Sequence, residues 1–209
     1  MAVCASSCGG TGESDLFGDV PRLYEEYLHK KDGVIERAHV CMEEQELTQL
    51  YEECEELHGV YFEKIKDAAE SWSGTKLALK SNDTFEIKSA LKVHYDDFFS
   101  KTDLTVQYTL TGEVVVACDI FPETDPELLE FYRRHPERLK GMDSTLELVG
   151  LDANDRVVVS TRIGHISKVL EGNSIGIKAG TPVVFEQLRF KDYAAADYKR
   201  IRSLVLSLN

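Results

Sequence analysis

The sequence predicts an α+β fold: a curved antiparallel sheet with a long helix before it and a short helix inserted midway. Three observations carry this expectation. Apolar residues recur at helical spacing over residues 43–72, and the period changes to alternation from residue 76 onward. Between residues 113 and 163, strand, helix and hairpin signals then follow one another in that order. Helix first and strands afterwards is the pattern of an α+β chain rather than of alternating βα units.

The elements follow in order. Residues 1–15 are rich in Ser, Gly and Cys and read as a disordered tail. A short helix is expected over 21–30, with Asp19 as cap and Asp32-Gly33 as its end. A longer helix is expected to begin at Val34 or Glu43 and to run to Trp72. Leu47, Leu50, Cys54, Leu57 and Tyr61 are spaced 3-4-3-4, and Ile65, Ala68 and Trp72 continue the stripe, while Glu52, Glu53, Glu55 and Glu56 lie mostly on the wet side. Residues 16–72 thus form a helical N-terminal segment and 73–209 a sheet region.

Alternation governs the sheet region. Phe85, Ile87, Leu91, Val93 and Tyr95 share one face, opposite Glu86, Lys88, Lys92 and His94; Leu104, Val106, Tyr108 and Leu110 form a second alternating run. Thr111-Gly112 reads as a tight hairpin into a strand over 113–121. Asp125-Pro126-Glu127 writes a helix start: a capping carboxylate, Pro at the first helical position and an acid in the first turn. Leu128, Leu129, Phe131 and Tyr132 give that helix its stripe, and Pro136 limits it. Strands over 144–151 and 156–163 are joined by a turn at 152–155. Loops are expected at 171–174 and 178–182, then a strand over 183–190. The end, 199–208, fits both periods, and the alternation of Leu204, Leu206 and Leu208 favours a strand.

Composition excludes several classes of function. With 37 acidic and 24 basic residues the net charge is −13, which argues against nucleic acid and against tight docking on anionic lipid. The nearest approach to a basic patch is Arg133, Arg134, Arg138 and Lys140, read as a solvated helix face. No run approaches the ~18 apolar residues of a membrane span, and no signal peptide is visible. Five cysteines without a regular framework suit a reducing compartment, so the expected location is cytoplasmic.

The stretch 115–163 carries a family resemblance. An apolar strand leads into the Pro- and Glu-rich helix start, then Leu128-Leu129-Glu130-Phe131-Tyr132-Arg133-Arg134-His135-Pro136-Glu137-Arg138 leads to Met142-Asp143, and strands at 145–149 and 156–159 follow. With Trp72 closing the preceding helix and the strand at 183–190, this order resembles the START (StAR-related lipid transfer) domain, a helix-grip fold. The chain departs from that pattern in having Met142 where the family usually has Trp and His135 where it has Asp. A START domain also continues into further strands and a long closing helix, whereas 19 residues follow Phe190, so the resemblance implies a truncated version. It also implies a non-enzymatic carrier or sensor holding one lipid or sterol inside the sheet. Glu147 and Arg189 would be its polar anchors, since some members place an acid and an arginine at comparable points on neighbouring strands.

No catalytic constellation emerges from the residues themselves. Cys54 and His58, four apart on a helix, and the pair His39 and Cys41 have ligand chemistry, but a continuous helix separates the pairs, and core packing is the better reading. Cys4 and Cys8 read as idle thiols. Asp152-Ala153-Asn154-Asp155 has the makings of a calcium loop yet lacks the glycine and distal glutamate, and suits a hairpin turn. No phosphate-binding loop, dinucleotide fingerprint or nucleophile–base pair is present. The expectation is therefore no enzyme, no metal and no cofactor. The rival to a lipid carrier is an assembly or adaptor subunit whose 43–72 helix binds a protein partner. A carrier requires an apolar cavity between helix and sheet; an adaptor requires a filled core and an exposed apolar stripe.

Overall fold

Two helices come first in the computed structural model, which describes residues 16–122, 124–139, 142–191 and 193–209; the expected 1–15 tail, with Cys4 and Cys8, and Lys140 lie outside these. Helix α1 spans Val20–Val40 and α2 spans Glu44–Trp72. The strands are β1 (Lys76–Leu77), β2 (Phe85–Ile87), β3 (Leu91–Ser100), β4 (Thr105–Thr111), β5 (Val114–Val116), β6 (Asp143–Leu151), β7 (Val157–Ser167), β8 (Val169–Glu171), β9 (Ser174–Gly176), β10 (Val184–Phe185), β11 (Gln187–Arg189) and β12 (Ser203–Leu208). Helix α3 (Pro126–Arg134) is inserted between β5 and β6, and α4 (Ala195–Arg200) precedes β12. The α+β architecture with a curled antiparallel sheet is as the sequence predicts.

The expected break at Asp32-Gly33 does not occur: α1 continues through it to Val40. A helical glycine costs only ~1 kcal/mol relative to Ala, and Val34, one residue on, is buried against α2. Antiparallel pairing supplies the rest, through Tyr27 against Tyr61 (ring centroids 5.7 Å apart) and Arg37 Nη2 on Glu53 Oε1 at 2.6 Å. Helix α3 begins as its sequence dictates, with Asp125 Oδ1 accepting from the backbone N–H groups of Glu127 (2.7 Å) and Leu128 (3.3 Å).

The strands form two four-stranded antiparallel sheets, ordered β1-β3-β4-β11 and β10-β7-β6-β12, with small pairs β2-β5 and β8-β9. The turn at 111–113 is therefore not the hairpin it resembles, because β5 pairs with β2 (Phe85 with Val116) and not with β4. The run 183–190 is likewise not one strand. It divides at Glu186 into β10, which pairs with β7, and β11, which pairs with β4, so this segment stitches one sheet to the other. At the opposite edges Leu79 bridges Leu204 in parallel, Lys80 N donates to Leu204 O at 2.8 Å and Asn82 Nδ2 to Leu206 O at 2.9 Å. The sheets thus meet at two seams. Register shifts in the β3–β4 and β6–β7 ladders bend the strands between them.

One core fills the curl. Leu91, Val93, Val106, Tyr108, Leu146, Leu148, Ile163, Leu188, Leu204 and Leu206 point inward from the strands, and α1 and α2 lie over one side. Phe17 sits at the centre, fully buried, with rings of Trp72, Phe190, Tyr198 and Tyr108 at 5.3, 5.5, 5.6 and 5.7 Å.

Candidate functional site

The two residues expected as anchors lie on the outer face of the sheet, in separate environments. Glu147, on β6 between inward-facing Leu146 and Leu148, accepts from Ser160 Oγ at 2.6 Å and from Asn209 Nδ2 at 3.3 Å. The Ser160 hydrogen bond holds its carboxyl below the ordinary value. Arg189, on β11, lays its guanidinium on the Phe99 ring, 4.0 Å from the centroid, and donates to Gln187 Oε1 at 3.1 Å. The two do not pair with each other.

Around Arg189 the seam at Glu186 opens into a groove of about 350 Å³ lined by Thr161, Arg162, Glu186, Gln187, Arg189 and Lys191. Its side chains come from β7, β11 and the flanking turns, brought together only because the chain changes sheets here. Arg162 Nη2 and His165 Nδ1 each meet Glu186 Oε1 at 3.1 Å. Burial raises the Glu186 carboxyl pKa, yet these two partners outweigh it and hold the group below its ordinary value. Lys191 Nζ donates to the Ser160 carbonyl at 3.1 Å. Of this set the sequence nominates Arg189 alone; Glu186 and Lys191 flank it in the chain, and Arg162 joins them only in three dimensions.

A second feature is buried. Trp72 Nε1, Tyr95 Oη and Tyr108 Oη have no hydrogen-bond partner, and their rings adjoin: Trp72–Tyr108 at 4.8 Å, Tyr95–Tyr108 at 5.9 Å. Burial pushes the Tyr95 phenol up to about 12 and Tyr108 further still. These donors lie between α2 and the inner face of the sheet.

The third feature is the far end of the helical hairpin. The last ties of α2 to the sheet as the chain is followed back from Trp72 are Phe62 stacked on Phe98 at 4.5 Å and His58 Nε2 against Lys101 O at 2.9 Å. Among the described residues, no hydrogen bond, ion pair or ring contact joins residues 28–57 to the sheet. From His58 to Glu44 the arm extends ~20 Å at 1.5 Å per residue. Met42 is 98% exposed, Val40 80%, Tyr51 68% and Leu47 48%. Of the expected stripe, Leu50 and Tyr61 are buried and Leu57 is half-buried, facing α1 rather than solvent. The exposed apolar side chains are those at the tip and on the adjoining face.

The other candidates are engaged elsewhere. Arg133 donates to Gly172 O and Asn173 Oδ1, and Arg134 pairs with Glu130 at 3.0 Å. Asp152 caps its own turn, accepting from Asn154 N and Arg156 N. No described helix is long and apolar enough to cross a membrane. No family model, no curated protein and no solved structure matches this chain.

Proposed function

We propose that the chain is a non-enzymatic adaptor whose curled sheet is a rigid head and whose helical hairpin is the docking arm. The observation that carries this reading is the arm itself, which extends beyond the last contact with the sheet and exposes Val40, Met42, Leu47 and Tyr51. Leu47 and Tyr51 stand one turn apart on α2, and Val40 and Met42 close the tip. Exposed side chains of this size gain ~1.5–3 kcal/mol each when a partner covers them. The arm also sets the partner's chemistry. Residues 28–57 carry nine carboxylates against three Lys or Arg, so the complementary surface is a basic protein segment with apolar anchors.

The test compares two chains. The triple variant Met42→Ser, Leu47→Ser, Tyr51→Ser keeps every contact between hairpin and sheet, so its thermal unfolding should match that of the parent. In quantitative affinity capture, partners with basic docking segments should fall at least about tenfold, the equivalent of ~1.4 kcal/mol. Identical capture by both chains sinks the reading.

A second reading, the lipid or sterol carrier, is supported by the three unpartnered donors between α2 and the sheet, where an enclosed ligand would meet them. Tyr108→Phe separates the two. If the hydroxyl anchors a ligand, native mass spectrometry of the purified parent finds a stoichiometric lipid, and the variant loses it. In an adaptor with a filled core the parent is empty, and Tyr108→Phe raises stability by ~1 kcal/mol by removing a buried group with no partner.

A further inference from the structure

We infer that the groove at the Glu186 seam binds a doubly charged oxyanion, a phosphate group, independently of the arm. The molecule as a whole is strongly acidic, yet among the described residues this recess is lined by Arg162, Arg189 and Lys191 against one carboxylate, Glu186. Glu186 is already taken by Arg162 and His165, both at 3.1 Å, and His165 Nε2 is also 3.7 Å from Asp143. Asp96 accepts from the amides of Gln107 (3.1 Å) and Gln187 (3.5 Å). Glu147 stands behind Ser160, whose hydroxyl it accepts.

Among the described residues, the hydrogen-bond acceptors of Arg189 and Lys191 are neutral, the Gln187 amide and the Ser160 carbonyl, and Lys191 also draws the Glu147 carboxyl down at longer range. Two cations with no carboxylate of the described residues within 4.0 Å, opening into one recess of about 350 Å³, match a dianion better than a single carboxylate. The guanidinium is also held in place. Phe99, 54% exposed, supports its flat face, so its edge N–H donors are presented in a fixed plane, the geometry in which arginine recognises phosphate oxygens. The Thr161 hydroxyl donates to the Arg189 carbonyl at 3.3 Å and ties that strand to β7. The ligand is either a free phosphate ion or an organic phosphate whose ring covers the open face of Phe99.

Calorimetric titration of the full chain at low salt tests this, with inorganic phosphate, phenyl phosphate, sulfate and acetate as probes. Saturable binding of phosphate and sulfate, with acetate weaker, is expected. The double variant Arg189→Gln, Lys191→Gln should weaken phosphate by at least about tenfold. Lys76→Gln, which removes an exposed cation on β1, should leave it unchanged. Both variants alter exposed side chains, and equal thermal unfolding shows that the fold is retained. Tighter binding of phenyl phosphate than of phosphate identifies an organic phosphate as the ligand, and equal affinity identifies the free ion. Absence of saturable binding below about 10 mM, or equal binding by the double variant, overturns the proposal. Neither result bears on the arm, whose residues do not line the groove.

Discussion

Replacing Gly164 by alanine is expected to destabilise the protein by about 3 kcal/mol or more, the upper range of overpacking effects. Gly164 lies on β7 between Leu146 of β6 and Phe185 of β10. A Cβ there would land well inside the contact distance of the Val184 carbonyl oxygen, 3.0 Å from its carbon and 3.1 Å from Phe185 Cα. The obstructing atoms are β10 backbone, which cannot rotate away as a side chain can, so the seam itself must open. For a chain of this length the melting temperature should fall by roughly 6–12 °C. Gly33→Ala is the control, since its Cβ meets nothing within 4 Å in mid-helix, and it should stabilise by ~1 kcal/mol. Calorimetric melting of both variants decides the matter. A Gly164→Ala chain melting within about 2 °C of the parent would mean that β7 and β10 do not approach so closely.

Phe17→Ala should cost about 4 kcal/mol, within the range for truncating a buried phenylalanine. Phe17 is fully buried, and its ring touches those of Trp72, Tyr108, Phe190 and Tyr198, so one side chain joins the end of α2 to β4, to the segment after β11 and to α4. Its backbone has φ +70°, a left-handed conformation that the packing enforces. Alanine keeps that strain and loses the contacts that offset it. The loss should appear in chemical denaturation as a lower midpoint at unchanged slope, with altered near-ultraviolet dichroism from Trp72. A midpoint within experimental scatter of the parent would show that Phe17 is not the keystone of this core.

How much of this was legible in the sequence depends on how local each determinant is. The α2 stripe from Leu50 to Trp72, the Asp125 cap and the 152–155 turn are written within a few residues of where they act, and the structure has them where expected, while Leu47 at the head of the stripe is exposed. Gly33 reads as a break in α1, but a glycine's penalty is small and is outweighed by packing on α2, which follows later in the chain. Thr111-Gly112 has the chemistry of a hairpin turn, but turn chemistry does not specify which strand the chain pairs with afterwards, and β5 pairs with β2. Val183 to Phe190 alternates as one strand would, and nothing in it marks Glu186 as the point where it passes from one sheet to the other. The groove inherits this opacity: Arg162 and Lys191 are neighbours only after the sheets have joined. The apolar residues at 40, 42, 47 and 51 were visible, but only the position of His58 and Phe62 against the sheet tells where support ends and the free arm begins.

The second seam has a consequence for how the molecule is made. Leu79 finds its bridge at Leu204, and the Asn82 amide its acceptor at Leu206. A ribosome that has delivered all the inward-facing residues of β3, β4, β6 and β7 has still not delivered β12. Until it does, β6 lacks its outer neighbour along six consecutive register pairs, from Leu146 to Leu151. Closure over such a sequence distance is entropically slow, and the nascent chain presents a naked strand edge throughout that interval. Its biogenesis should therefore depend on chaperones that shield unpaired edges, more than the size of the finished domain would imply.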